Sequence, residues 1–263
     1  MKKFFAVPLA VLFVAACSDS TAPVSSNSTL NPSYAKPTTP VVPCASCPQL
    51  AFYDFEGGVV GSAGGTTVAT DLQPGTAGTA DAADVVTAPG GQKFLGRFDN
   101  TRTMVTITVP GGNPNYRVDF DFYTIGSWDG RGKQAQTGVF QANVYELGYR
   151  CTAGGAITDI FKTTFSNQLT VQQDYPNAYL TGGFKAATGA YATDSLDYRS
   201  APTLSNTPVF RSFGDVEYHM TAGGASPCGG ADFTLTISTS NPTQQSVYDE
   251  SWGVDNIHIY SGT

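Results

Sequence analysis

The chain has 263 residues, of which 41% are hydrophobic and 13% charged, and its formal net charge is −7. With 21 acidic and 14 basic side chains, the composition excludes a nucleic acid as partner, because phosphate binding depends on lysine and arginine. Glycine, threonine, serine and alanine abound, which is typical of exported β-proteins.

The first 16 residues predict a lipoprotein signal peptide. Two lysines precede an apolar run, Phe4 to Ala16, that is too short for a permanent membrane span. The segment VAAC, ending at Cys17, resembles the lipobox of bacterial lipoproteins, in which the cysteine is lipidated and becomes the new N-terminus. The alternative is an ordinary signal peptide with Cys17 merely nearby. Ser18 rather than aspartate follows, so the resemblance implies anchoring in the outer membrane, on its periplasmic or surface face.

Residues 17–48 predict an extended tether. They are rich in serine, threonine and proline, carry almost no charge and have no apolar periodicity. Residues 49–263 are long enough to form a single domain with one core. Loss of the signal peptide removes two lysines, which leaves 12 basic and 21 acidic side chains and a net charge of −9.

Four cysteines remain after Cys17, and an even number in an exported chain favours two disulfides. Cys151 and Cys228 both lie in glycine-rich segments, and we expect them to pair. Cys44 and Cys47 then close on each other, or the four cysteines cross-pair. Pro48 after the second cysteine argues against a haem attachment motif, and the position in a tether argues against a redox site. A zinc site would need two more ligands, and both histidines are far away in the sequence.

The rest of the chain consists of short segments in which apolar and polar residues alternate. This pattern predicts an antiparallel β-sandwich rather than helices. In MVTITV, for example, Val105, Ile107 and Val109 share one face. The predicted strands are Gln49–Glu56, Lys93–Phe98, Arg102–Val109, Tyr116–Thr124, Thr137–Glu146, Ile157–Phe165, Thr207–Phe213, Asp215–Thr221, Asp232–Ser238 and Trp252–Tyr260.

Residues 165–206 form a long, poorly periodic segment, and long loops on a rigid sandwich often carry binding. Four tyrosines punctuate it: Tyr175, Tyr179, Tyr191 and Tyr198. They either form a stacking surface for a ligand or pack the loop onto the sheet.

Four sequence motifs follow one another along the domain: KFLGRFDN, VDFDFYTIGSWDG, TTFSN with DYP nearby, and DESWGVDNIHIY. Their succession resembles a family of bacterial exported jelly-roll domains, related to concanavalin-like and carbohydrate-binding-module sandwiches. The resemblance covers nearly all of residues 50–262 and implies an all-β jelly roll, with a role in binding or adhesion. The segment around GYRCTAGG is an addition to the family pattern.

A second likeness concerns the two ends of the domain, YDFEGG and VDNIHIY. In many sugar-binding jelly rolls these segments hold a structural calcium, which implies Glu56 and Asp255 as ligands. Asp255 also shares strand parity with Ile257 and Ile259, so it is predicted on the core side, where a carboxylate needs a partner. Calcium prefers six to eight oxygens; the alternatives are hydrogen bonds from backbone N–H groups or an ion pair with Arg97.

Candidate ligand contacts are Trp128 and Asp129 in SWDG, with Tyr175 and Tyr179 in the long loop. An exposed tryptophan beside an acid can stack on a sugar ring while the acid binds its hydroxyls. Alternatively, Trp128 and Trp252 fill the core where strands meet loops.

No catalytic residues are predicted. The acids lack the arrangement of a glycosidase pair, and no nucleophile elbow, phosphate loop or zinc helix occurs. Asp119 and Asp121 share a strand face, which is more simply a solvated sheet face, and His219 and His258 are interpreted as sheet-face residues.

The sequence therefore predicts a lipid-anchored, non-catalytic binding protein of the cell envelope that recognises carbohydrate or another surface ligand and holds a structural calcium. One alternative is an accessory subunit that docks onto an envelope protein complex. The other is a glycan-active hydrolase.

Overall fold

The computed structural model describes most of the chain from residue 48 onward. The described ranges are 48–57, 62–63, 65–72, 85–99, 103–132, 142–200, 214–240, 247 and 249–262. The predicted signal peptide, Cys17, the tether up to residue 47 with Cys44 and Cys47, and the predicted strand Thr207–Phe213 lie outside these ranges. Within them, no helix is long and apolar enough to cross a membrane.

The described residues form thirteen strands and one turn of 3₁₀ helix, Tyr198–Ser200. The strands are β1 (Gln49–Tyr53), β2 (Ser62–Ala63), β3 (Thr66–Leu72), β4 (Val85–Thr87), β5 (Lys93–Phe98), β6 (Thr103–Val109), β7 (Asn115–Gly126), β8 (Val144–Arg150), β9 (Thr158–Thr164), β10 (Ala192–Thr193), β11 (Asp215–Ala225), β12 (Phe233–Ser240) and β13 (Glu250–Gly262).

The strands pair into two antiparallel sheets. Sheet A has the order β10-β11-β7-β13-β5-β4, with β1 also pairing with β13. Sheet B has the order β2-β3-β6-β12-β8-β9. The chain crosses from sheet B to sheet A between β6 and β7, and from A to B and back to A through β11, β12 and β13. This arrangement confirms the predicted all-β jelly-roll sandwich.

The core lies between the two sheets and follows the alternation in the sequence. In β6, Val105, Ile107 and Val109 are buried, as predicted. Phe122 lies at the centre and contacts the rings of Trp128, Tyr145, Phe165 and Trp252, with centroid distances between 4.7 and 6.1 Å. Tilted aromatic contacts of this kind stabilise a core beyond the area that they bury.

Four strands were not predicted, namely β2, β3, β4 and β10, and one strand differs in position. β2 and β10 have only two residues each. β3 and β4 contain few large apolar side chains, so their alternation is weak in the sequence. The strand predicted at Thr137–Glu146 is β8, which begins at Val144 and ends at Arg150; residues 133–141 lie outside the described part of the chain. The remaining described strands agree with prediction to within a few residues at most ends.

The disulfide predicted between Cys151 and Cys228 is confirmed, with a Cα–Cα distance of 5.6 Å. It joins the turn after β8 to the turn before β12. The bond therefore links two loops of the sandwich that are 77 residues apart in the chain.

The long loop after β9 packs tightly onto the sandwich. Gln173 is fully buried, and its amide nitrogen donates hydrogen bonds to the carbonyl oxygens of Tyr175 and Thr188. Its amide oxygen accepts hydrogen bonds from the backbone N–H groups of Ser166 and Ala187. Because one side chain satisfies four loop groups, the loop is held in a defined position.

A second, smaller apolar cluster covers one end of the outer face of sheet A. Phe94, Tyr123 and Ile125 from the sheet meet Leu196 and Tyr198 from the loop before β11, with Ala88 alongside. Gly253 lies under the ring of Phe94, where a Cβ atom would come within 2.5 Å of the ring. The middle of this outer face carries charged side chains instead.

Candidate functional site

Three charged residues lie in a row across the outer face of sheet A. His219 on β11 is directly opposite Asp121 on β7, and Asp121 is directly opposite Asp255 on β13. Directly paired residues on antiparallel strands point to the same face. Asp121 lies on the face opposite the core residues Phe120 and Phe122, so the whole row faces away from the core.

A β-bulge places Asp255 on this face and corrects the sequence-based prediction that it faces the core. The pairing of β13 with β7 shifts between Asp255 and His258, and Asn256 has a φ of 48°. The extra residue reverses the alternation of side chains along the strand. Asp255 therefore points outward, although Ile257 and Ile259 remain in the core. Its predicted burial is confirmed, since it is only 5% exposed.

Asp121, Glu217 and His219 form a compact set, here named the acid–histidine group. The Nε2 atom of His219 lies 3.0 Å from Oε1 of Glu217 and 3.2 Å from Oδ1 of Asp121. The three donor atoms all lie within 4.8 Å of one another. Both acids are buried, whereas half of the His219 side chain is exposed.

Neighbouring side chains hold the acid–histidine group in place. Asn256, the bulge residue, donates a hydrogen bond from Nδ2 to Oδ2 of Asp121 at 2.7 Å. Tyr191 stacks on the imidazole of His219 with a centroid distance of 3.6 Å, and 68% of this tyrosine remains exposed. Asn256 thus orients the carboxylate of Asp121, and Tyr191 covers one face of the His219 ring.

The charges in the group shift its ionisation. Burial raises the pKa of Asp121 to about 6, and the charge of Glu217 adds to the rise, while Asn256 and His219 oppose it. For His219, burial acts to lower the pKa, but the hydrogen bond to Glu217 and the charges of both acids outweigh it and raise the pKa. The two buried carboxylates therefore favour the protonated form of the imidazole.

The acid–histidine group was missed by sequence reasoning, which interpreted Asp121 and His219 as ordinary sheet-face residues. The segment VEYHM does place Glu217 and His219 on one strand face, since they are two residues apart. No sequence signal indicates that β11 pairs with β7 in the register that brings Asp121 opposite His219. That juxtaposition follows only from the strand order of sheet A.

The residues proposed as calcium ligands lie on the same side of the domain but are not in the acid–histidine group. Burial raises the pKa of Asp255 to about 8, with the charges of Asp121, Glu56 and Asp54 adding to the rise. Glu56 is already engaged, because Oε1 accepts a hydrogen bond from the Lys93 N–H at 3.2 Å. The Lys93 ammonium donates to the Glu56 carbonyl oxygen at 3.0 Å.

Calcium needs six to eight oxygens. The carbonyl oxygen of Glu56 could be one of them, but it already accepts a hydrogen bond from the Lys93 ammonium group. The charges of Glu56 and Asp255 interact, but among the described residues neither belongs to a group of three or more possible ligand side chains whose donor atoms lie together. The calcium site stays a prediction.

The structure corrects the prediction that Trp128 and Tyr175 contact a ligand. Trp128 is fully buried, and its indole N–H donates to the Ser251 carbonyl oxygen at 2.8 Å. Tyr175 is 1% exposed and packs against Phe165 with a centroid distance of 4.7 Å. The alternative role, filling the core where strands meet loops, applies to Trp128 and likewise to the fully buried Trp252.

The other predicted ligand contacts lie apart from the acid–histidine group. Asp129 is half-buried and accepts a hydrogen bond from the amide of Gln168. Burial raises its pKa to about 6, and the charge of Asp249 adds to the rise. Tyr179 is half-buried, and its N–H donates to the Lys162 carbonyl oxygen. Of the four loop tyrosines, Tyr191 is the one that reaches the charged face.

Comparisons with known proteins identify no family for this chain. No family model matches the chain, and no curated protein matches it. Five chains of solved structures match it. One is the K2 cleaved adhesin domain of Lys-gingipain, with 12% sequence identity and a TM-score of 0.35, covering 81% of this chain and 98% of that one. At this similarity nothing about a ligand is carried over to the present chain.

Proposed function

We propose that this chain is a lipid-anchored, non-catalytic binding protein of the cell envelope that recognises carbohydrate on the outer face of sheet A. The observation that carries the proposal is Tyr191, an exposed aromatic ring stacked on His219 above two buried carboxylates. The ring can stack on the apolar face of a sugar. Glu217 and Asp121 can accept hydrogen bonds from its hydroxyl groups.

The shape of the described surface favours a ligand that lies on the sheet. The cavity lined by Cys151, Thr108 and Phe233 holds about 130 Å³, whereas small-molecule pockets hold about 300 to 1,000 Å³. The charged face of sheet A is instead an open surface, bounded at one end by the apolar cluster around Phe94 and Tyr198. A glycan chain can lie across such a surface without being enclosed.

We expect Tyr191→Ala to weaken glycan binding by about 10-fold or more, because an aromatic stacking contact contributes about 0.5 to 1.5 kcal/mol beyond its buried area. The measurement is a glycan array with the purified full-length protein, followed by titration of the best glycan. Tyr179→Ala is the matched control, since it removes a tyrosine of the same loop away from the charged face.

Two results would contradict this proposal. The wild-type protein could retain no glycan, or Tyr191→Ala could bind as tightly as wild type while Tyr179→Ala binds more weakly. Release of reducing sugar from the bound glycan during prolonged incubation would contradict the non-catalytic part.

The anchoring part of the proposal rests on Cys17, which lies outside the described residues. We expect Cys17→Ser to move the protein from the membrane fraction to the soluble fraction, because the acyl chains would be lost. Cell fractionation with immunoblotting measures this, and Cys44→Ser is the control expected to stay with membranes. If Cys17→Ser also stayed with membranes, anchoring through this cysteine would be wrong.

A second candidate function, docking onto an envelope protein, is favoured by an aromatic strip beside the charged face. Phe52 on β1 is 44% exposed and stacks on His258 with a centroid distance of 4.2 Å. Exposed aromatic residues on an edge strand suit a protein interface. If the wild type bound no glycan but co-purified with an envelope protein, and Phe52→Ser abolished this, docking would replace carbohydrate binding.

A further inference from the structure

We propose that the acid–histidine group, Asp121, Glu217 and His219, binds a divalent transition-metal ion, Zn²⁺, and that Asp255 completes the site. This site shares Asp255 with the predicted calcium site but depends in addition on an imidazole nitrogen. It uses the carboxylates of Asp121 and Glu217, which the carbohydrate proposal also uses, and it can be tested without a glycan.

The spacing of the donor atoms suits a small ion. Metal–ligand bonds of about 2.0 to 2.1 Å place the donors of a tetrahedral zinc site about 3.4 Å apart. Nε2 of His219 lies 3.0 Å from the Glu217 oxygen and 3.2 Å from the Asp121 oxygen. Small outward shifts of the three side chains would therefore produce a ligand shell.

The donor types favour zinc over calcium. The group offers one imidazole nitrogen and two carboxylate oxygens, a mixture that zinc and other transition metals accept. Calcium prefers a shell of oxygens alone. Because half of the His219 side chain is exposed, an ion can enter from solvent.

A second observation, independent of the group itself, is the state of Asp255. This side chain is 5% exposed and lies directly opposite Asp121 on the same face. Its Oδ1 atom accepts a hydrogen bond from the N–H of the next residue, Asn256, at 2.8 Å. Among the described residues, no group donates to its Oδ2 atom and no cation pairs with it, which leaves this oxygen beside the group available to a metal.

The balance of charge points the same way. Two buried carboxylates, Asp121 and Glu217, form ion pairs with the single imidazole of His219. Asp255 lies opposite Asp121 and forms no ion pair with a described residue. A buried carboxylate without a compensating charge is costly. A divalent cation would supply that charge at the point where the carboxylates meet.

Asn256 would orient a metal ligand, Asp121, without contacting the metal itself. Its hydrogen bond to Oδ2 of Asp121 leaves the other oxygen, Oδ1, directed at His219. Groups that orient metal ligands in this way typically contribute about 10- to 100-fold to metal affinity. Asn256→Gly removes this hydrogen bond and still tolerates the left-handed backbone of the bulge.

The experiment titrates Zn²⁺ into full-length protein that has been stripped with a chelator and dialysed, with calorimetry as the readout. We expect one ion per chain and an affinity at least about 100-fold lower for His219→Ala, since loss of a ligand should exceed loss of an orienting group. Asn256→Gly should bind about 10-fold more weakly. His258→Ala, the other histidine on this sheet face, should bind as wild type does.

A spectroscopic readout on the wild type keeps the test independent of variant folding. Co²⁺ in place of Zn²⁺ should give the strong visible absorption of a four-coordinate site, and Zn²⁺ should shift the ring nitrogen signals of His219 but not His258. The proposal is overturned if the wild type binds no Zn²⁺, or if His219→Ala and His258→Ala bind alike. It is also overturned if Ca²⁺ alone binds and Glu56→Gln abolishes that binding.

Discussion

Replacing Asp255 with asparagine is expected to make the metal-free protein more stable than wild type above pH 8, by about 2 to 5 kcal/mol. Burial and neighbouring acids raise the pKa of Asp255 from 3.8 to about 8. One pKa unit corresponds to about 1.4 kcal/mol, and the carboxyl is only 5% exposed. Asparagine has the same shape as the protonated acid and cannot ionise.

The sign of the effect follows from proton linkage. Between pH 4 and pH 8 the folded protein keeps a proton on Asp255 that the unfolded chain has released. The contribution of this group to stability is therefore complete below about pH 4 and is lost as the pH rises to about 8. The advantage of Asp255→Asn over wild type should grow through this window and level off above it.

Denaturant unfolding in the presence of a chelator, at intervals from pH 4 to pH 9, measures this difference. Asp119→Asn is the matched control, because Asp119 lies on the same face but is paired with Arg117 at 2.6 Å. If the free energy of unfolding of Asp255→Asn and of wild type depended on pH in the same way, burial would not raise the pKa of Asp255 in the folded protein.

Zinc should reverse the order of these two proteins. Asp255→Asn removes a carboxylate from the proposed metal site, so the variant that is more stable without metal should gain less stability when Zn²⁺ is added. Binding to the folded state alone stabilises by mass action. An acid that destabilises the empty site but serves an occupied one is a common trade between stability and function.

Removing the disulfide, by Cys151→Ser with Cys228→Ser, is expected to lower the free energy of unfolding by about 2 to 5 kcal/mol. The bond closes a loop of 77 residues, and the chain-entropy relation gives about 4 to 5 kcal/mol for a loop of this length. Cys151 is exposed and Cys228 half-buried, so the serines themselves should cost little in packing.

Denaturant unfolding of the double serine variant, beside wild type with and without reductant, measures the contribution. The control is the double serine variant of Cys44 and Cys47, which are so close in sequence that any bond between them would restrict the unfolded chain little. Equal stability of oxidised and reduced wild type would contradict the prediction.

Much of the fold could be predicted from the sequence because a half-buried strand repeats with a period of two. That repeat is plain in MVTITV and DFTLTI, where the inward residues Val105, Ile107, Leu235 and Ile237 are all buried. The pairing of Cys151 with Cys228 was also predictable, since both lie in glycine-rich segments. Strands without large apolar residues, such as β3, gave no comparable signal.

The candidate site could not be predicted in the same way, because its residues come from strands that are distant in sequence. Sequence reasoning treated Asp121 and His219 separately, and the strand order β11-β7-β13 made them neighbours. It also placed possible ligand contacts at Trp128 and Tyr175. Both are large, largely apolar side chains, and the sandwich buries them.

Asp255 marks the boundary between the two kinds of information. The sequence alone determined that a carboxylate would be buried in the last strand, and that it would need a partner. The tertiary structure decided which face it occupies, because the bulge at Asn256 inserts one residue and reverses the alternation. The alternation of apolar and polar residues in the sequence indicates which side chains are buried. Bulges and strand order decide which of these side chains lie next to one another.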